Sequence, residues 1–145
     1  MSLQSWLGQG WLEPHQTSRD EIKQLLELAD RDLRESQARD LGHDWALSIA
    51  YNAALQCATA ALAACGYRAA RGMHHLRTIR SLQLTIRWRR ADVDVLDGFR
   101  QKRHTSEYEL SGAVSAQEAQ EMLALAQRLR QEVEAWLKAK HPHLL

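Results

Sequence analysis

The segment DGFRQKRHTSEYEL, from Asp97 to Leu110, gathers basic side chains, a histidine and a tyrosine into about two helical turns between Arg100 and Tyr108. On a helix, Arg100, His104 and Tyr108 stand at i, i+4 and i+8 and share one face, with Arg103 and Glu107 beside them. Arginine offers a planar fork of donors to a phosphate, histidine exchanges a proton near neutral pH, and tyrosine donates a hydrogen bond or stacks on a base. Metal-independent RNA cleavage would need these groups. The same residues also fit a solvated helix face, with Arg103 and Glu107 in a surface ion pair worth at most about 0.5 kcal/mol and His104 simply exposed.

The charge around this segment is local. The whole chain has a formal net charge of +1, which gives no global attraction to nucleic acid. Residues 71 to 103, however, hold nine Lys/Arg against three Asp/Glu, whereas residues 1 to 70 hold six against nine and residues 104 to 145 hold four against six. This basic block runs into the opening segment, so Arg100, Lys102 and Arg103 become candidate phosphate-binding residues. Trp88 lies in the same block between Arg87 and Arg89, where it could stack a base while the charges hold phosphates; a helix junction with a basic collar is the other reading. His74 and His75 project about 100° apart on a helix, with no carboxylate at i+3 or i+4, so no metal site is expected there. They read as helix-start or core histidines. His141 and His143 would hold a metal only weakly, and a mobile terminus accounts for them equally well. No cofactor is expected.

The elements that must position these groups are helical. Two prolines and seven glycines in 145 residues, with almost no alternating β-branched runs, predict an all-α fold. Residues 1–17 show no sustained period and read as an irregular arm whose Trp6 and Trp11 lie on the bundle or on a partner. A first helix starts at Ser18 with a capping box, SRDE, and buries Ile22, Leu25, Leu26, Ala29 and Leu33 before Gly42 ends it. A second, from about Asp44 to Gly66, is apolar on almost every side, including Trp45, and should be the central helix.

A third helix is predicted from about His74 to Ile86, with His75, Ile79, Leu82 and Ile86 on one stripe and a bend or break near Trp88. A fourth turns Val95, Leu96 and Phe99 inward, delivers the opening segment at its C-terminal end, and closes at Gly112. The last starts with a second capping box at Ser115 and repeats Ala119, Met122, Leu123, Ala126, Leu129, Val133, Trp136 and Leu137. Four or five helices joined by short turns predict an antiparallel bundle in one domain, residues 18–138, followed by a frayed tail, 139–145. Cys57 and Cys65 are about 12 Å apart along one helix and cannot bridge. With no signal peptide and no uninterrupted apolar span, the expectation is a cytoplasmic protein that does not enter a membrane.

Four segments in this order, AYNAALQCATAALAACGYR (50–68), GMHHLRTI (72–79), FRQKRHTSEYEL (99–110) and SAQEAQEMLALAQRLRQEVEAWL (115–137), resemble the HEPN family of small helical bundles. The resemblance covers most of residues 18 to 137. It implies a HEPN-like bundle and a homodimer in which two copies of a late-helix motif face each other, with RNA or a nucleotide as ligand. It also implies a toxin–antitoxin or stress system, with an antitoxin or nucleotidyltransferase as partner. In the family's ribonucleases an arginine binds the scissile phosphate and a histidine near the helix end serves the 2′-hydroxyl or leaving group. Laid on this sequence, the motif arginine falls on Arg103, its polar neighbour on His104 and the histidine position on Tyr108. Tyrosine, with an ordinary pKa near 10, is a poor base at neutral pH. A shorter register pairing Arg100 with His104 would restore both groups. The expected activity is therefore RNA or nucleotide phosphate binding, with metal-independent cleavage and a non-catalytic dimeric interaction module as alternatives.

Overall fold

The computed structural model describes residues 1–108 and 113–145, the side chains of 105–108 excepted. The described chain is mostly helical: α1 (Leu3–Gly8), β1 (Leu12–Pro14), α2 (Arg19–Glu35), α3 (His43–Ala64), β2 (Tyr67–Ala69), α4 (His74–Arg80), α5 (Arg90–Tyr108) and α6 (Ala116–Lys140). Short 3-10 turns follow α4 at Ser81–Gln83 and α6 at Pro142–Leu144.

The helix starts obey their caps. Ser18 accepts the Glu21 amide at the head of α2, and Ser115 and Glu118 form a reciprocal capping box at α6. At α2 the expected return bond from Glu21 is replaced: its Oε1 accepts instead from Thr17 Oγ1 (2.6 Å) and pairs with His15 Nε2 (2.7 Å). Gly66, just beyond α3, has φ +91°, a conformation that a side chain would strain, and its amide closes the helix on the Ala63 carbonyl at 2.9 Å. Gly42 does not end α2, which stops at Glu35; it is the N-cap of α3.

α3 is the central helix. Ala50, Ala53, Ala54, Ala58, Ala60 and Ala61 are fully buried, and α2, α5 and α6 all pack on it. Small side chains permit this close approach on several sides at once. By length and composition the helix could span a membrane, but 67% of its apolar window is buried inside the bundle, as a core helix requires. α5 and α6 run antiparallel, tied by Arg128 to Asp92 (2.6 Å) at one end and Lys102 to Glu118 (3.4 Å) at the other. Bidentate pairing of Arg130 with Asp30 (2.9 and 3.1 Å) joins α6 to α2.

Several expectations are corrected. Residues 1–17 are not an irregular arm: α1 is capped by Ser2 and Ser5, and β1 pairs antiparallel with β2, Glu13 opposite Arg68. Trp6 and Leu12 are buried with Leu62 beneath this ribbon, which is why the segment holds a fixed shape. The tail does not fray, because Leu144 returns to the main core. Trp45 is 62% exposed and Val95 50% exposed, so neither is a core residue. On α5 the inward positions are Val93, Leu96 and Phe99; Val95 and Leu96 are about 100° apart and only one of them can face α3. The predicted third helix is shorter, ending at Arg80 before its 3-10 turn, while Ile79 and Leu82 are buried as their stripe requires.

Candidate functional site

The inward stripe of α5 does not stop at Phe99. It continues with Arg100, four residues after Leu96, and Arg103, four after Phe99, so these two guanidiniums are carried over the α3–α4 junction instead of into bulk solvent. Arg103 lies over the ring of Tyr51, which is fully buried on α3, with the guanidinium carbon 5.1 Å from the ring centroid. Arg100 Nε donates to Asp97 Oδ1 at 2.7 Å. The other oxygen of Asp97 accepts from Gln101 Nε2 at 3.2 Å and lies 4.0 Å from Arg80. Asp97 thus fixes the orientation of Arg100 from below.

α4 closes the other side. Its own stripe, Ile79 and Leu82, begins one turn earlier with His75, and this places the imidazole beside Tyr51: the Tyr51 hydroxyl is 3.5 Å from His75 Nδ1. Met73, the N-cap of α4, takes φ +49° and stands at the rim, 61% exposed. The result is a cleft of about 490 Å³ lined by Met73, His74, His75, Leu76, Arg100, Arg103 and His104. Its size falls within the usual range for small-ligand sites. Among the described residues, no acidic side chain lines it.

The charges follow from this arrangement. Burial, then the neighbouring His74, Arg103 and Arg100, hold His75 below the ordinary histidine value, so its imidazole is neutral at pH 7. Burial also pushes the Tyr51 phenol up, only partly offset by Arg103 and Arg100, so Tyr51 stays protonated and keeps a proton to donate. The site therefore sets two guanidiniums, that of Arg100 shared with the Asp97 carboxylate, beside a neutral base and a protonated phenol. Such a set can grip a tetrahedral oxyanion and accept a proton from a group bonded to it.

The chain matches no family model and no curated protein.

Of the residues the sequence singled out, Arg100, Arg103 and His104 come together. Lys102 does not join them; its amine faces α6 and pairs with Glu118. Trp88 cannot stack a base: it is 5% exposed, and its Nε1–H donates to Glu132 Oε2 at 2.6 Å. Arg89 is exposed, but it precedes Arg100 by three turns, about 16 Å along the helix axis, and belongs to the other end of α5. The Tyr108 and Glu107 side chains and Gly112 lie outside the described residues, and so does the Arg103–Glu107 ion pair. The residues missed as site members are Tyr51 and His75. For His75 the one signal was its place at the head of the stripe that Ile79 continues, which fitted a core histidine equally well; for Tyr51 there was none.

Proposed function

We propose that this cleft binds the phosphate of RNA or of a nucleotide through Arg100 and Arg103. One observation supports the reading above others: both guanidiniums line a ligand-sized cleft with three histidines, Arg100 held from beneath by Asp97 and Arg103 resting on the ring of Tyr51. A solvated basic face would not continue the buried stripe of its helix or rest on a buried tyrosine. The resemblance to HEPN bundles supports the same ligand class, together with a homodimer in a toxin–antitoxin or related stress system.

Binding of a single-stranded RNA measured over a salt series tests it. Arg103→Ala and Arg100→Ala should each weaken affinity about tenfold and reduce the slope of log K against log salt by about 0.7 per lost contact. Unchanged affinity and slope in both variants, with the fold intact by circular dichroism, would refute the proposal.

A second reading, metal-independent RNA cleavage, is favoured by the neutral His75 beside Arg103. In that reaction the 2′-oxygen bonds to phosphorus as the bond to the 5′-oxygen breaks; His75 takes the 2′-hydroxyl proton and His104 supplies one to the leaving oxygen. Incubation with RNA in excess chelator should give fragments ending in a 2′,3′-cyclic phosphate, and His75→Gln should abolish them. If His104→Ala still cleaves at the full rate, His104 is not the acid. The remaining reading, a non-catalytic dimeric module built on the same stripe, predicts a dimer that binds no RNA.

A further inference from the structure

Next to the cleft, sharing His74 with it, a second, smaller pocket of about 220 Å³ opens to the surface where the N-terminal ribbon, α2, α3 and α4 meet. Leu25, Leu62, Ala63 and Ala69 give it apolar walls, and polar side chains, among them His15, Glu21, Thr59, Arg68, His74 and Thr78, complete its lining. The charged ones are already engaged. Glu21 pairs with His15 at 2.7 Å and accepts from Thr17 at 2.6 Å, and Arg68 donates to Glu13 at 2.9 Å. Thr59 donates to the Leu55 carbonyl at 2.8 Å, while Thr78 is 2% exposed and faces this space. His74 lines both this cavity and the Arg100–Arg103 cleft.

We infer that this pocket is a second ligand site, for a small uncharged ring compound bearing one hydrogen-bonding group, held by apolar contact with Leu25, Leu62 and Ala63 and oriented by Thr78 or His74. The volume sets the class. A space of about 150 Å³ accommodates benzene, so one of about 220 Å³ admits a ring compound of roughly nine heavy atoms, the size of indole. The pairing of Glu21 and Arg68 within the protein sets the charge: an ionic ligand would find no unengaged counterion on these walls, and stripping its hydration would be costly. Because His74 is a wall of both spaces, occupancy of the inner site shifts the imidazole that faces the cleft. A ring compound bound inside thus modulates the outer site.

Indole is the probe. Titrated into the full-length protein and followed by amide and methyl NMR, it should move the resonances of Leu62, Ala63, Thr78 and His74 as one saturable set. Ala63→Leu, which fills the cavity, should weaken that binding at least tenfold, and Thr59→Leu, at a partly exposed wall position less prone to disturb folding, should do the same. No saturable shifts in the wild type, shifts mapping elsewhere, or undiminished binding in a folded filled variant would each overturn the inference. None of these readouts requires the outer cleft to bind phosphate. The coupling is read separately, as movement of the Arg103 and His104 side-chain resonances, which line the outer cleft and not this pocket, with indole alone; static resonances at both would overturn that part.

Discussion

The guanidinium of Arg103 lies over the ring of Tyr51, 5.1 Å from its centroid, and through this contact a residue of α5 is anchored to the buried face of α3. The phenol edge that remains reaches His75 on α4, at 3.5 Å. Three helices are thereby joined at one aromatic ring, and the roles of the ring and of its hydroxyl can be separated.

Tyr51→Phe keeps the ring under Arg103 and removes only the weak contact to His75, so it should cost under about 1 kcal/mol of stability and leave anion affinity nearly unchanged. Tyr51→Ala removes a fully buried aromatic and should cost about 3–5 kcal/mol. Denaturant melts give the stability difference. Anion binding measured at a temperature where both variants are folded should be weakened in the alanine variant alone.

Asp97 holds Arg100 and stands near Arg80 while itself only 9% exposed. Replacing it with asparagine removes the charge shared by these arginines. The expected loss is about 1–2 kcal/mol, discounted because Arg80 is largely exposed, and corresponds to a melting temperature lower by roughly 3–8 °C. A double-mutant cycle with Arg100→Ala should be strongly non-additive, since both substitutions break the same contact. Simple additivity would show that Asp97 does not position Arg100.

His75 supplies a pH signature. Its folded-state pKa is lowered, first by burial and then by His74, Arg103 and Arg100, so below the ordinary value of 6.5 the unfolded chain binds a proton that the folded chain resists. Stability therefore rises with pH through this window and falls as the pH drops below about 6.5. Denaturant titrations at pH 7.5, 6.5 and 5.5 should show that decline in the wild type and a shallower one in His75→Gln. Equal slopes would remove His75 as its source.

Trp88 serves the bundle and not a ligand. Trp88→Phe deletes the bond to the Glu132 carboxylate and should cost about 1.5–3 kcal/mol, with anion affinity in the α4–α5 cleft unaltered. A fall in RNA affinity at conserved fold would contradict this assignment and place a binding surface at the N-terminal end of α5.

Much of the helical framework was legible because it depends on local chemistry. Ser18, Ser115 and Gly66 mark helix ends by capping and backbone freedom, and the stripes of α2 and α6 follow directly from period. The ribbon was not legible, because LEP and YRA are too short to show alternation and gain their stability only from each other across the fold. Trp45 misled for a related reason: it sits in the first turn of α3, beyond the reach of the neighbouring helices that bury the rest. At the site, Arg100, Arg103 and His104 could be placed on a shared face from spacing alone. That Tyr51 and His75 meet them is tertiary, and only the positions of Arg103 and His75 at the ends of apolar stripes hinted at it.

The pairing of Glu13 with Arg68, 55 residues apart, has a consequence for how the chain reaches its shape during synthesis. At roughly 5–20 residues per second, the ribosome delivers β2 several seconds after β1, and Leu62 only shortly before it. Throughout that interval Trp6, Trp11 and Leu12 have no covering partner, so the nascent chain displays two indoles that the finished protein hides or packs together. Chaperone capture of the emerging chain should concentrate on this window and end once Leu84, which packs on the same cluster, has cleared the exit tunnel.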